Sequence, residues 1–317
     1  MSALSTAAER FVFAPLSILG RQVVGVVTWN VNDTCNYRCS YCTQRHMAAR
    51  TWKIEDIDRY VRALSALPGT WEIKLSGGEP FQQPGLEDIA RGLVDLGHVV
   101  SVQTNFSASA AKLARFLEAT EGALHVFSAS LHLEYASAEG FVARYASELR
   151  PWVERHGVRF NVTSVAAPAR LAQLRDEVAP RFAAAGIAFK VQPDKVRGRV
   201  REYSAEERQA LLALGGHNLT GEVAPDYFGR LCWAGGRYLA IKSDGQVWRC
   251  YPASRFGGRF ARLGSLHEGF ELLDAPKVCP YTYCNCTVPI HRGMIEGVPR
   301  TLGGAAPTAP EERPRCS

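Results

Sequence analysis

The chain has 317 residues, 46% hydrophobic and 21% charged, with a net charge of +6. That balance describes a globular protein with enough apolar residues for a sizeable core, and its surplus of positive charge is too mild to define a nucleic-acid surface. No apolar run reaches the roughly 20 residues of a membrane helix, and Met1 to Arg10 lacks a cationic start followed by an apolar core, so a cytoplasmic chain without membrane contact is expected. The nine cysteines cluster in metal-type spacings in a long chain, which argues for reduced thiols over a disulfide scaffold.

In chain order, an N-terminal arm (1–25) contains an apolar stretch, Phe11 to Leu19, that Pro15 interrupts; it reads as an edge strand or a packed loop. Val26 to Val31 reads as the first strand and runs into Thr34-Cys35-Asn36-Tyr37-Arg38-Cys39-Ser40-Tyr41-Cys42. Three thiols within eight residues suit zinc, Cu(I) or an iron–sulfur cluster. A closed zinc site needs a fourth ligand. The only nearby imidazole is His46 and the next thiol is Cys232, which leaves a zinc knuckle on His46 or a [4Fe–4S] cluster with one open iron.

Beyond the cysteines the periodicity predicts helix and strand in alternation. Helices are expected at Ile54 to Leu67, Leu86 to Leu96, Ala108 to Ala119, Gly140 to Leu149 and Leu171 to Ala185. Strands are expected at Trp71 to Leu75, Val99 to Gln103, Leu124 to Leu131, Val158 to Val165 and Ile187 to Gln192. Six strand–helix units predict an α/β fold with parallel strands and helices outside, two units short of an eight-unit barrel. Ligand sites in such folds lie at the carboxyl ends of the strands, where the cysteine loop, Gly77-Gly78-Glu79, Asn105, Ser130 and Gln192 all fall. At the mouth of the fourth strand His132 and Glu134 are candidates for a substrate-facing base, or for structural roles, and Lys190 and Gln192 have a similar claim. Asn105 is a candidate ligand contact or a cap for the helix that follows. The basic stretch Lys195, Arg197, Arg199 and Arg201 reads as a solvated loop or as a grip on an anionic or hydroxyl-rich ligand.

Ser204 to Leu214 reads as a helix behind a Ser N-cap. Two strands, Tyr238 to Lys242 and Val247 to Arg249, flank Ser243-Asp244-Gly245, so a hairpin brings Cys232 and Cys250 together. Cys279, Cys284 and Cys286 follow. The tail 301–317, with Cys316, is rich in Ala, Pro, Glu and Arg and is expected to be disordered.

The cysteine run, with Tyr41 directly before the last thiol, together with Gly77-Gly78-Glu79-Pro80 thirty-five residues after Cys42, resembles the radical S-adenosylmethionine (SAM) superfamily. The resemblance implies a partial (β/α)6 TIM-like barrel at 26–215. Cys35, Cys39 and Cys42 would hold a [4Fe–4S] cluster whose open iron chelates the amino and carboxylate groups of SAM. Tyr41, the backbone of Gly77 and Gly78, the Glu79 side chain, Asn105, Ser130 and Arg144 would contact SAM: Glu79 its ammonium, Ser130 and Arg144 its ribose and carboxylate. An external one-electron reductant, a flavodoxin or ferredoxin, would be the partner.

The hairpin and the cysteines after it resemble the SPASM/twitch extension of that superfamily, here the short twitch form at 216–300 with one auxiliary [4Fe–4S] cluster; a zinc ribbon is the alternative. Four of Cys232, Cys250, Cys279, Cys284 and Cys286 would be ligands. If Cys250 is the spare thiol, it becomes a candidate hydrogen-atom donor to a substrate radical. The short module resembles those of aminoglycoside-sugar epimerases and dehydrogenases, which implies epimerisation or oxidation of a hydroxyl-bearing carbon in a small polar substrate. A peptide-modifying maturase is the second reading, weakened by the short segment before the first strand. A non-catalytic iron–sulfur or zinc protein is a third, and the GGEP element speaks against it. An RNA modifier is a fourth, which the mild charge disfavours.

Overall fold

A computed structural model describes residues 15–43, 54–196, 199–215, 226–282, 284 and 288–298. His46, Arg197, Cys286, Cys316, the 301–317 tail and the start of the N-terminal arm lie outside the described residues.

A short strand β1 (Leu16–Ile18) precedes β2 (Arg21–Asn30), β3 (Thr70–Ser76), β4 (Val99–Thr104), β5 (Leu124–Ser130), β6 (Arg159–Ala166) and β7 (Ala188–Pro193). β1 lies antiparallel on β2, the edge-strand outcome for that stretch. β2 to β7 pair in sequence order and in parallel. Between them run α1 (Ile54–Ala63), α2 (Leu86–Asp95), α3 (Ala110–Ala119), α4 (Ala138–Arg144), α5 (Arg150–His156), α6 (Leu171–Gln173) and α7 (Ala179–Ala184). This is the expected partial barrel of six strand–helix units. It is open, because no pairing among the described residues joins β7 back to the other end of the sheet.

Alternation along each strand separates two faces. Trp29, Trp71, Ile73, Leu75, Val102 and Phe127 point outward into a core shared with the helices. The alternate residues point inward, and they are polar: Thr28, Lys74, Ser76, Gln103, Ser128, Thr163, Lys190 and Gln192 all line internal cavities. Closed eight-stranded barrels fill this space with branched apolar side chains. Here it stays an open, polar lumen.

One helix outruns its expected end, and a second reaches its own by the same device. The fourth does not stop at Leu149 but continues through a wide i→i+5 turn, Tyr145–Leu149, into α5. A second wide turn, Leu174–Val178, leads into α7. Each stands just before a proline, Pro151 and Pro180. The extra residue in the turn makes room for a ring that would otherwise clash with the preceding carbonyl, so the helix path survives.

After α8 (Ala205–Ala213), closed at its start by a Ser204–Glu207 capping box, the C-terminal hairpin does not stand apart from the barrel. With β8 (Lys195–Val196), β9 (Arg199–Val200) and β10 (Leu231–Cys232) preceding it, β11 (Tyr238–Ile241) pairs in parallel with β2. β12 (Gln246–Trp248), β13 (Arg262–Ser265) and β14 (Gly269–Phe270) then extend the same sheet. Asp244-Gly245 makes the turn, as expected, with Gly245 at φ +79°.

Beneath the lumen, Glu72 is fully buried and receives Arg292, the His125 imidazole at 3.2 Å and the Ser101 hydroxyl at 2.7 Å. Burial opposes its ionisation, yet Lys74, His125 and Arg292 together hold its carboxyl well below the usual range. A depressed carboxylate stabilises the fold above the unfolded pKa and loses that contribution as pH falls. Arg292→Met, which strands a buried charge, is expected to destabilise the protein by about 3–5 kcal/mol near neutrality. The difference should shrink as the pH drops below about 4, where the unfolded glutamate protonates. Urea denaturation across that range checks both.

Candidate active site

The cysteine loop leaves β2 and packs on two neighbours. Its first is the Gly77-Gly78-Glu79 turn after β3. Asn32 Nδ2 donates to the Glu79 carbonyl at 2.9 Å, the Gly78 N–H donates to the Asn32 carbonyl at 3.1 Å, and the Glu79 N–H donates to the Thr34 carbonyl at 2.7 Å. The approach is so close that a Cβ on Gly78 would sit 2.2 Å from the Thr34 oxygen, and one on Gly77, at φ +151°, 2.7 Å from the Asn32 oxygen. These glycines are required by the contact between two loops as well as by any ligand.

Its second neighbour is the segment leaving β5. The Tyr41 hydroxyl and Nδ1 of His132 share a hydrogen bond at 2.9 Å, and burial lowers the pKa of that imidazole. Glu134 accepts from the Ser40 N–H at 2.9 Å and from its hydroxyl. The Arg38 N–H donates to the Tyr135 hydroxyl at 2.8 Å, and Tyr135 stacks on Tyr37 with ring centroids 4.2 Å apart. His132 and Glu134, candidates for a substrate-facing base, are thus engaged by the cysteine loop. They sit where the sequence places them, at the strand mouth; both Glu134 oxygens and one ring nitrogen of His132 are engaged by that neighbour, while His132 still lines the cavity.

The Glu79 side chain turns inward and is fully buried. One carboxylate oxygen accepts from the Phe81 N–H at 3.1 Å and the Thr104 hydroxyl at 2.7 Å, the other from the Asn105 N–H at 2.6 Å. Burial pushes its carboxyl up to about 7 against those donors. It braces the ends of β3 and β4. Asn105 does not cap the next helix; Ser109 does. Its side-chain amide donates to Asn36 at 2.9 Å and lies 3.9 Å from the Cys35 sulfur.

Cys35, Cys39 and Cys42 line one wall of a cavity of about 350 Å³ at the carboxyl ends of the strands, together with Tyr41, Gly77, Gly78, Asn105, Ser130 and His132. A deeper cavity of about 250 Å³ shares Thr28, Ser76, Gln103, Gln192 and Tyr251 with it, so the two form one lumen. Glu79 and Arg144 are not part of this wall. Arg144 is held by the carbonyls of Phe106 and Ala108 and by Glu148 at 2.9 Å, with its guanidinium over the Phe106 ring.

Three soft sulfurs on one wall are a donor set suited to an iron–sulfur cluster. Burial raises the pKa of Cys35 and pushes that of Cys39 up to about 11, and the neighbouring sulfurs add to both. Cys35 already accepts the Tyr37 N–H at 3.3 Å, the kind of hydrogen bond to sulfur that tunes iron–sulfur clusters.

Comparison with known proteins agrees. Residues 29–155 match the model of the Radical SAM superfamily. The match takes in the cysteine loop, the Gly77-Gly78-Glu79 turn and strands β3 to β5. Among curated proteins, a GTP 3′,8-cyclase of Stenotrophomonas maltophilia is 32% identical over 111 residues, 33% of this chain and 34% of that protein. One from Pelotomaculum thermopropionicum is 39% identical over 67 residues, 20% of each. The matched segments span about a third or less of those relatives' length. Among solved structures, Streptococcus suis SuiB bound to S-adenosylmethionine superposes with a TM-score of 0.54 at 13% identity, covering 78% of this chain and 64% of that one. The enzyme anSMEcpe with bound AdoMet gives 0.50 at 17% identity, covering 76% and 78%. At such identities the likeness is one of fold.

The C-terminal thiols form a second group. Cys232, Cys250, Cys279 and Cys284 all line one small apolar cavity outside the lumen, with Arg249 beside them. No disulfide joins any described cysteine. Arg249 is 2% exposed, and its Nε has no hydrogen-bond partner among the described residues. A buried guanidinium of this kind calls for a neighbouring anion, and four thiolates around a metal group carry net negative charge. The Ala253 N–H already donates to Cys250 at 3.4 Å. Cys250, the candidate hydrogen donor, faces this cavity and does not line the lumen; its neighbour Tyr251 does.

The sequence reading did not single out Thr28, Lys74, Ser128 and Thr163 as lumen residues. The signal was present as polar residues at every second position of otherwise apolar strands. Gly78→Ala is expected to force the cysteine loop off the Gly77-Gly78-Glu79 turn and to remove most of the iron taken up on anaerobic reconstitution. Iron-to-protein ratio and thermal melting measure this; a variant that binds iron like the unmodified chain would refute the assignment.

Proposed function

We propose that this chain is an enzyme that cleaves S-adenosylmethionine reductively at the cysteine wall and removes a hydrogen atom from a hydroxyl-bearing carbon of a small polar molecule held deeper in the lumen. The observation that carries this reading is the single polar cavity running from Cys35, Cys39 and Cys42 down between the strands. A [4Fe–4S] cluster with SAM on its open iron, given one electron by an external flavodoxin or ferredoxin, supplies a 5′-deoxyadenosyl radical.

The protein's own part is positional. The Gly77–Gly78 backbone and Asn105 border the space beside the thiols, and Ser130 and Gln103 present polar groups further along the wall. Substrate below is oriented by the hydroxyls and amides of β2 to β7.

We further propose that Cys232, Cys250, Cys279 and Cys284 hold an auxiliary [4Fe–4S] cluster of twitch type. With Cys250 in that set, no described C-terminal thiol lines the lumen, which favours oxidation over epimerisation. The substrate radical would lose its hydroxyl proton, and the auxiliary cluster, when bound, would accept the one further electron, leaving a carbonyl.

Reconstituted enzyme with SAM and a strong reductant is expected to form 5′-deoxyadenosine, and Cys39→Ala to form none. Iron should approach about eight atoms per chain and fall to about four in Cys279→Ala. Failure of the unmodified enzyme to cleave SAM would end the reading. In deuterated water a carbonyl product is expected; deuterium at an inverted carbon would establish epimerisation instead.

A further inference from the structure

The floor of the lumen is cationic. Lys74 from β3 and Lys190 from β7, four strands apart in the sheet, both line the deeper cavity, and Lys195 lines the upper one. No Asp or Glu lines either cavity among the described residues. The nearest carboxylate, Glu72, is buried beneath and already serves Arg292, His125 and Lys74, the last at 3.7 Å. One negative charge is therefore shared by at least two permanent cations.

Lys190 has no such partner. No carboxylate lies within ion-pair distance of its ammonium among the described residues, and no hydrogen bond satisfies it. Burial lowers its pKa, and the charges of Lys74 and Arg159 add to that. The same field acts on His291, whose pKa is lowered to about 3 by burial and by Lys190, Lys74, Arg292 and Arg159. A half-buried, unpaired ammonium facing a second one is costly in a folded chain. Such a pair converging on one cavity is suited to an oxyanion, whose binding relieves the repulsion. Around the lysines, Ser101, Ser128, Asn161 and Thr163 supply neutral donors and acceptors of the sort that match hydroxyl groups.

We propose that the substrate is an anion: a small hydroxylated molecule bearing a carboxylate or a phosphate, with that group held between Lys74 and Lys190 and its reacting carbon directed toward the cysteine wall. This deepens the functional reading and rests on it. It also narrows it: a polycationic amino sugar, the substrate class that the sequence resemblance implies, is repelled by the same lysines.

The test uses the full chain, reconstituted and saturated with SAM so that the cofactor's own carboxylate site is filled. Inorganic phosphate, glucuronate and kanamycin serve as probes in calorimetric titration. Phosphate, glucuronate or both are expected to bind, and their comparison tells a phosphate from a carboxylate preference; kanamycin is expected not to bind. Lys190→Met and Lys74→Met should each weaken anion binding about tenfold or more. Melting curves give a second readout. Lys190→Met, freed of an unpaired charge, should melt higher than the unmodified chain without ligand, and the anion should raise the melting temperature of the unmodified chain only. Binding of kanamycin in preference to the anions, binding of neither anion, or equal anion binding by the lysine variants would overturn the proposal. Formation of 5′-deoxyadenosine by the same unmodified preparation is independent of the anion. A chain that cleaves SAM and binds no anion therefore loses this inference while keeping its radical SAM chemistry.

Discussion

The contact between the Thr34 carbonyl and the backbone of Gly78 is the constraint on which the site depends. A loop of three thiols has no shape of its own; it gains one by hydrogen bonding to the turn after β3 on one side and to the exit of β5 on the other. Glu79, buried under that turn, fixes the ends of β3 and β4 through three hydrogen bonds. Much of the polar chemistry at the strand mouths is consumed in holding the loop. The groups left to face a ligand are the thiols, glycine backbone and neutral side chains above, and lysines below.

The two ends of the lumen therefore differ in character. The upper wall is soft and nearly neutral, suited to a metal–sulfur group and an adenosyl cofactor. The floor is hard and positive. A ligand with an anionic end and a hydroxylated end would be oriented by that gradient before any specific contact formed, and orientation is what a hydrogen-atom transfer needs most. Tyr251 borders both levels and directly follows Cys250, which places the second thiol group one residue from the lumen.

The architecture was largely legible because the outward faces of the strands are regular: Trp71, Ile73 and Leu75, or Val100 and Val102, leave little room for another reading. The cysteine spacing and Gly77-Gly78-Glu79 were legible for the same reason, as local patterns. What the sequence could not show was partnership at long range. His132 and Glu134 look available until the loop 91 to 94 residues earlier is folded against them. Arg144 looks like a ligand-binding group until the carbonyls of Phe106 and Ala108 claim it. The helix expected to stop at Leu149 runs on past Pro151 because a wide turn leaves no mark in the periodicity. The polar inner face was written in the strands, but recognising it required knowing which alternate residues face a lumen and which face solvent.

The pairing of β11 with β2 has a consequence for how this chain can be cut or rearranged. Strand β2 begins the barrel, yet the outer edge of its Val26–Trp29 stretch is paired with residues more than two hundred positions later. A chain ended after α8 would expose that edge along an apolar strand, an open template for association with other copies. The C-terminal segment thus acts as a seal, and folding of the first strand stays incomplete until the last third of the polypeptide arrives.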